Sequence, residues 1–340
     1  MAEPKTIQSL QAGRGLAALA VVLTHANVAA RDFGAGHHNS PLLESGYLGV
    51  DFFFVLSGFI IYHSTVGRGR SWRDYAVARV RRVYLPYLPI GVGIALIYTL
   101  LPAFSEGTRS WSWLPTLTLL PVSSETALLV AWTLKFEIFF YLLFGCLYFG
   151  GFLAPGLIIW AIAIALGAVL GITDFIPLAI INLEFLLGIG IAVLYRQGRG
   201  HAAILLAAPL PLTLWLGLGA IRGWSVLVGL SLALTMLPVA QLEERGRFTV
   251  PRALTFLGAA SYSIYLAHGL AISVAARAVR GLPYLAVVGA TMLAGVAGGI
   301  IYHLLVERRL LRLAPGDRRH ERLTGEEPAS PTARPAAAAD

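Results

Sequence analysis

Charge is scarce in this 340-residue chain. Asp, Glu, Lys and Arg make up only 13% of it, against 57% hydrophobic residues, a balance far from that of ordinary soluble domains. Long polar stretches are missing too, so no soluble catalytic domain fits between the apolar runs, and any chemistry must use a membrane core and its loops. Cysteine is limited to Cys146, which excludes disulfides and cysteine-based metal clusters. No H-E-x-x-H occurs, and His37-His38 have no carboxylate at ligand spacing, so no metal site is expected. Phosphate loops and dinucleotide fingerprints are absent, and Gly188-Ile-Gly190 inside an apolar run reads as packing material. The lack of an internal repeat weakens a transporter reading.

What remains is a series of apolar windows of about 20 residues, each long enough to span a bilayer. About ten are present, near 9–30, 46–64, 83–102, 128–149, 152–171, 175–195, 203–221, 224–241, 253–276 and 283–306. The expected fold is therefore all-α and polytopic. With the N-terminus inside, inner segments hold 20 of the 26 Lys and Arg residues and outer segments hold 5. This positive-inside bias places both termini in the cytoplasm. It also explains the net charge of +8 without nucleic acid, for which no basic-aromatic module is present. The first 30 residues have features of a signal peptide, but the run is long and contains Arg14 and His25, so an uncleaved first helix is expected. Residues 1–313 form the membrane domain. Residues 314–340, rich in Ala, Pro, Arg and Glu, form an expected disordered cytoplasmic tail that can touch anionic lipid.

Titratable groups inside membrane helices are costly and by default mark functional sites. Arg14 and His25 are eleven residues apart, about three helical turns, so they face broadly the same side about 16 Å apart along the axis. Each has a bland reading, a snorkelling arginine and a satisfied histidine. Arg79 and Arg82, three apart, share a helix face and can grip phosphates bidentately, or serve as flanking positive charge. In GYLGVDFFFVLSGF (46–59), Asp51 lies near the expected depth of His25 and can orient its imidazole. Ser57 lacks a nucleophile-elbow setting, since position 55 is Val, and Ser57-Gly58 reads as close helix packing. Lys135 and Glu137 are two apart and point different ways, so Glu137 needs a partner from another helix or from a substrate. Tyr262, Tyr265 and His268 can line a cavity wall or form an aromatic stripe. His303 and Glu307, four apart, read as a structural pair.

The stretches IQSLQAGRGLAALAVVLTHA, GYLGVDFFFVLSGFII, RVRRVYLPY, AWTLKFEIFFYLL and SYSIYLAH, in this order over residues 7–268, resemble the acyltransferase-3 family of bacterial membrane proteins. The opening looks most like members that acetylate exopolysaccharides. The resemblance implies a multi-pass protein of the bacterial cytoplasmic (inner) membrane that moves an acyl group, usually acetyl from acetyl-CoA, to a sugar hydroxyl of a glycan or glycolipid. The family's R-x10-H motif falls on Arg14 and His25, its R-x-x-R motif on Arg79 and Arg82, and its tryptophan-to-glutamate motif on Trp132 and Glu137. Lys135 departs from that last pattern, where small or polar residues are commoner. The implied roles are donor binding by Arg14, Arg79 and Arg82, and general-base catalysis by His25 with Asp51 or Glu137. Trp132, Tyr262, Tyr265 and His268 would bind the acceptor. Direct transfer and a covalent acyl-enzyme both remain open. The competing readings are a transporter or flippase for a glycan or acyl-group precursor, an MBOAT-type acyltransferase and a structural membrane subunit. The second lacks the expected Asn-His pair, and the third leaves the intramembrane charges unexplained.

Overall fold

In hydrocarbon every backbone amide needs an internal partner, so long apolar segments settle as helices. A computed structural model describes residues 6–36, 40–101, 110–122, 124–172, 174–198 and 225–313. Among these residues the long elements are α1 (Gln8–Phe33), α2 (Gly49–Thr65), α3 (Trp72–Leu100), α4 (Trp132–Phe149), α5 (Leu153–Val169), α6 (Leu183–Arg196), α7 (Ser225–Glu244), α8 (Arg252–Ala278) and α9 (Tyr284–Tyr302). A π-helical turn, His303–Glu307, and a short helix, Arg308–Leu313, continue α9. The only extended pairings among the described residues are two isolated bridges, Ala35 with Pro283 and Trp111 with Glu125.

Seven helical segments among the described residues are long and apolar enough to cross a bilayer: those built on α1, α2, α3, α4, α7, α8 and α9. The expected span at 203–221 and the tail 314–340 lie outside the described residues, as do His37 and His38. The run 152–171 forms α5, which has 17 residues. The run 175–195 does not form one helix. Two 3₁₀ turns, Ile176–Leu178 and Ile180–Asn182, precede the 14-residue α6. Pro177 supplies no amide hydrogen and disfavours helix in the residue before it. Asn182 Nδ2 ties the first turn back by donating to the Ile176 carbonyl at 2.6 Å, and Trp160 Nε1 donates to the Pro177 carbonyl at 2.8 Å.

α1 packs along α8 and α9, while α2 packs along α6, with α7 against both α2 and α6. Glycine sets the closest approaches, as is usual where membrane helices touch. A Cβ on Gly258 would stand 1.8 Å from the Gln11 carbonyl oxygen. One on Gly188 would stand 1.9 Å from the Val55 oxygen, and one on Gly58 would stand 2.0 Å from the Phe185 oxygen. The readings of Gly58 and Gly188 as packing residues therefore hold. Large apolar side chains such as Val169, Leu285 and Leu293 face outward, as a lipid-facing surface requires. One end of the bundle gathers the start of α1, the turn after α2 and the end of α6: Glu243 accepts from the Gln8 and Ser9 amides at 2.6 and 2.7 Å, and Arg196 donates to the Val66 carbonyl at 2.7 Å. That end also carries Arg68, Arg245, Arg247 and Arg308, and is called the basic end below. The opposite end holds the Arg31–Glu44 ion pair at 2.6 Å.

Candidate active site

The Gln11–Gly15 and Gly258 contact brings α1 close enough to α8 to share a cavity with α2, α3 and α4. The cavity is lined by Arg14, Ser57, Arg82, Glu137, Tyr262 and Tyr265, with Val50, Phe53, Phe54 and Val83 among its apolar walls. Two guanidiniums and one carboxylate thus meet in a largely apolar space. The charged neighbours of Arg14 are Arg82, Glu307 and Glu137, and its Nη1 donates to Gln11 Oε1 at 3.2 Å. Opposed arginines repel each other, so the flanking carboxylates, or an anion in the cavity, supply the balance.

Glu137 is held on two sides. Tyr141, one turn further along α4, donates to Oε1, and Ser57 of α2 donates to the same oxygen at 3.3 Å. The partner that Glu137 needed from another helix is Ser57. Tyr141 also carries the Arg79 guanidinium over its ring at 5.5 Å. Arg79 is buried and donates to Ser64 Oγ at 3.2 Å, so it and Arg82 serve different surroundings. Lys135 faces away, donating to the carbonyls of Val122 and Ser124 at 2.7 and 3.0 Å.

The two tyrosines on α8 form a cavity wall. Tyr262 donates to the Val83 carbonyl at 2.9 Å and Tyr265 to the Val130 carbonyl at 3.0 Å. One turn further, His268 meets His25 edge-on with ring centroids 4.8 Å apart. His25 Nδ1 lies 2.9 Å from the Val21 carbonyl and His268 Nδ1 lies 3.1 Å from the Ile264 carbonyl. A carbonyl can only accept, so each Nδ1 carries a proton, and a ring in its neutral form has its lone pair at Nε2. His268 is fully buried with Nε2 unpartnered. His25 keeps some exposure and is the more reachable base.

A family model described as an acyltransferase domain matches residues 7–304. The chain belongs to the acyltransferase-3 family. It is a multi-pass membrane acyltransferase. The exopolysaccharide production protein ExoZ of Rhizobium meliloti (strain 1021) is 32% identical over 303 residues, covering 82% of this chain and 92% of that protein. No solved structure matches.

For this acyltransferase the cavity unites the arginine of the first family motif, the second arginine of R-x-x-R and the glutamate of the third. Five expected site residues are not among those that line this cavity: Arg79 is turned to Ser64 and Tyr141, His25 and His268 pack on each other beyond Tyr265, and Asp51 and Trp132 stand elsewhere. Asp51 is buried against Glu184 of α6, so its partner is a second carboxyl group and not the His25 imidazole. Trp132 is half-exposed, packs edge-on to Phe136 at 5.9 Å and lines a separate space of about 1190 Å³ with Glu125, Lys135 and Phe175. Sequence reasoning missed Ser57, Tyr141 and Glu184. The only signal for Ser57 was a hydroxyl within a charged-helix motif. Glu184 was visible as an acid in an apolar run.

His303 and Glu307 do pair, at 2.6 Å, and Ser263 donates to the same Glu307 oxygen at 2.6 Å.

Proposed function

We propose that this acyltransferase moves an acetyl group from acetyl-CoA to a sugar hydroxyl of an extracellular or lipid-linked polysaccharide. The observation that carries the reading is the pairing on one face of α1: Arg14 lies in a cavity that also holds Arg82, and three turns away stands a histidine whose Nε2 lone pair is set by the Val21 carbonyl. An anionic donor suits the arginines, and a hydroxyl acceptor suits the base. The name of the 32%-identical relative, an exopolysaccharide production protein, supports a polysaccharide acceptor.

In the proposed step the acceptor oxygen attacks the thioester carbonyl as His25 Nε2 takes the hydroxyl proton. The tetrahedral intermediate then collapses with cleavage of the carbon–sulfur bond. The departing thiolate takes the proton back from the imidazolium, giving the ester and CoA-SH. His268 packs against the edge of His25 and fixes the ring. Positive charge on Arg14 and Arg82 holds the donor. Positive-inside bias puts the basic end in the cytoplasm, where the donor is made. General-base assistance contributes about 10²–10⁴-fold in rate.

The test is CoA release from acetyl-CoA by protein in nanodiscs, with and without host glycolipid extract, comparing wild type with His25→Ala. Acceptor-stimulated release that falls by about 10²-fold or more in the variant is expected. A variant retaining more than about a tenth of wild-type turnover would remove His25 from the role of base. Wild type without any release, even with extract, would sink the transfer reading.

A further inference from the structure

The central cavity, which gathers Arg14 and Arg82, carries reactive groups of its own apart from the histidine pair. Its wall offers five hydroxyls, those of Ser57, Thr133, Ser261, Tyr262 and Tyr265, and their partners tell them apart. Thr133 and Tyr265 are bonded to each other at 2.9 Å and to the Val130 carbonyl. Tyr262 donates to the Val83 carbonyl. Ser261 is fully buried and its hydroxyl has no partner. Ser57 is the one of the five that donates to a carboxylate, reaching Glu137 Oε1 at 3.3 Å.

That contact has the parts of an activated nucleophile: a hydroxyl, a base within hydrogen-bond reach, and a third group that orients the base. Tyr141 is the third group. It donates to the same Oε1, is only 4% exposed and does not line the cavity, so it holds the carboxylate without meeting a substrate. Ser57 and Glu137 both keep some exposure. Beside Ser57, a Cβ on Gly58 would stand 2.0 Å from the Phe185 oxygen, so α2 has no room to move toward α6 and Oγ keeps its place. The guanidiniums of Arg14 and Arg82 line the same space, and fixed positive charge is what stabilises a developing oxyanion.

We infer that Ser57 is an acyl acceptor within the protein, and that the cavity moves the acyl group from the thioester to Ser57 Oγ when no glycan is bound. Oγ attacks the thioester carbonyl carbon while Glu137 Oε1 takes the hydroxyl proton. As the tetrahedral intermediate collapses, the carbon–sulfur bond breaks and the thiolate takes the proton from Glu137. The products are an ester on Ser57 and CoA-SH, Glu137 returns to its starting state, and nothing is oxidised or reduced. This self-acylation rests on the acetyl-CoA reading above, requires no acceptor glycan and runs beside the transfer assigned to His25.

The experiment incubates protein in nanodiscs with radiolabelled acetyl-CoA and no glycan, follows CoA release, and maps the label by peptide mass spectrometry. Equilibrium binding of acetyl-CoA and the melting midpoint are measured alongside. Wild type should release a burst of CoA no larger than the amount of protein and carry the label on Ser57. Ser57→Ala should lose both burst and label while melting as wild type does. Ser57→Cys should take up label again, now as a thioester that neutral hydroxylamine removes. Glu137→Gln should slow labelling by about 10²-fold or more, and undiminished labelling there would overturn its part as the base. Wild type that binds acetyl-CoA but takes up no label would overturn the assignment and leave the donor reading intact. Label on Ser261 or Tyr141, or label that persists in Ser57→Ala, would do the same. Wild type that binds no acetyl-CoA would overturn the donor reading and this assignment together.

Discussion

At the scale of single residues, the position that departs from the family pattern is the one whose role the structure makes plainest. Lys135 stands two residues before Glu137, so its charge raised the question of what it does to the carboxylate. The helix answers it: residues two apart face different ways, and Lys135 is spent on the carbonyls of Val122 and Ser124. It pins the loop that precedes α4. Truncation leaves two carbonyls without their charged donor, which costs about 1–3 kcal/mol. Lys135→Ala should therefore lower the thermal unfolding midpoint in detergent while leaving the KM for acetyl-CoA unchanged. A fall in kcat at unchanged stability would instead put the lysine in the electrostatic field of Glu137.

The same scale shows which parts of the site the sequence could disclose. Arg14, Arg82, Glu137, Tyr262 and Tyr265 were legible because charge, or repeated aromatic hydroxyls, inside apolar runs is conspicuous one residue at a time. Ser57 and Tyr141 were not, since their meaning lies in a shared carboxylate oxygen, and Ser57 reaches it from another helix. Asp51 was misplaced for a related reason. Gly49 meets the Ala17 carbonyl of α1, so Asp51 sits nearer the level of Ala17 than that of His25, and the azimuth of α2 turns it to Glu184 of α6.

At the scale of elements, glycine decides which helices touch. Gly58 and Gly188 face each other's helix across the α2–α6 contact, each with a carbonyl oxygen within 2.0 Å of where a Cβ would sit. The helices cannot yield there without disturbing the Asp51–Glu184 pair and the α2 face that carries Ser57. Gly188→Ala should destabilise the protein by about 1–3 kcal/mol, the usual range for overpacking a tight contact, seen as a lower melting midpoint. Gly190, two residues on, has open space around its Cβ position, so Gly190→Ala is the matched control and should melt at or above wild type. If both variants melt alike, close backbone approach does not set this interface. Element boundaries were less legible than element identity. The run 175–195 looked long enough to span, and hydropathy alone carries no record of the helix interruption that Pro177 and Asn182 impose.

At the scale of the whole molecule, one asymmetry joins the fold to the proposed chemistry. The arginines of the cavity lie toward the basic end, and the histidine pair lies toward the other end. A donor made in the cytoplasm must enter at the basic end, so the orientation of the bundle and the direction of transfer are one question. The positive-inside bias of the sequence predicts that residue 70 faces the cytoplasm and residue 280 the outside. Cys146 is the sole cysteine and is exposed, so a Cys146→Ser background allows single-cysteine mapping. In that background Arg280→Cys should react with a membrane-impermeant maleimide in intact cells. Arg70→Cys should react only in inverted vesicles. Both variants should keep acetyl-CoA turnover, since neither position lines the central cavity. The reverse labelling pattern would turn the basic end to the outside, away from any cytoplasmic thioester pool. The donor would then have to be an extracytoplasmic acyl carrier, even if His25 were still shown to be the base.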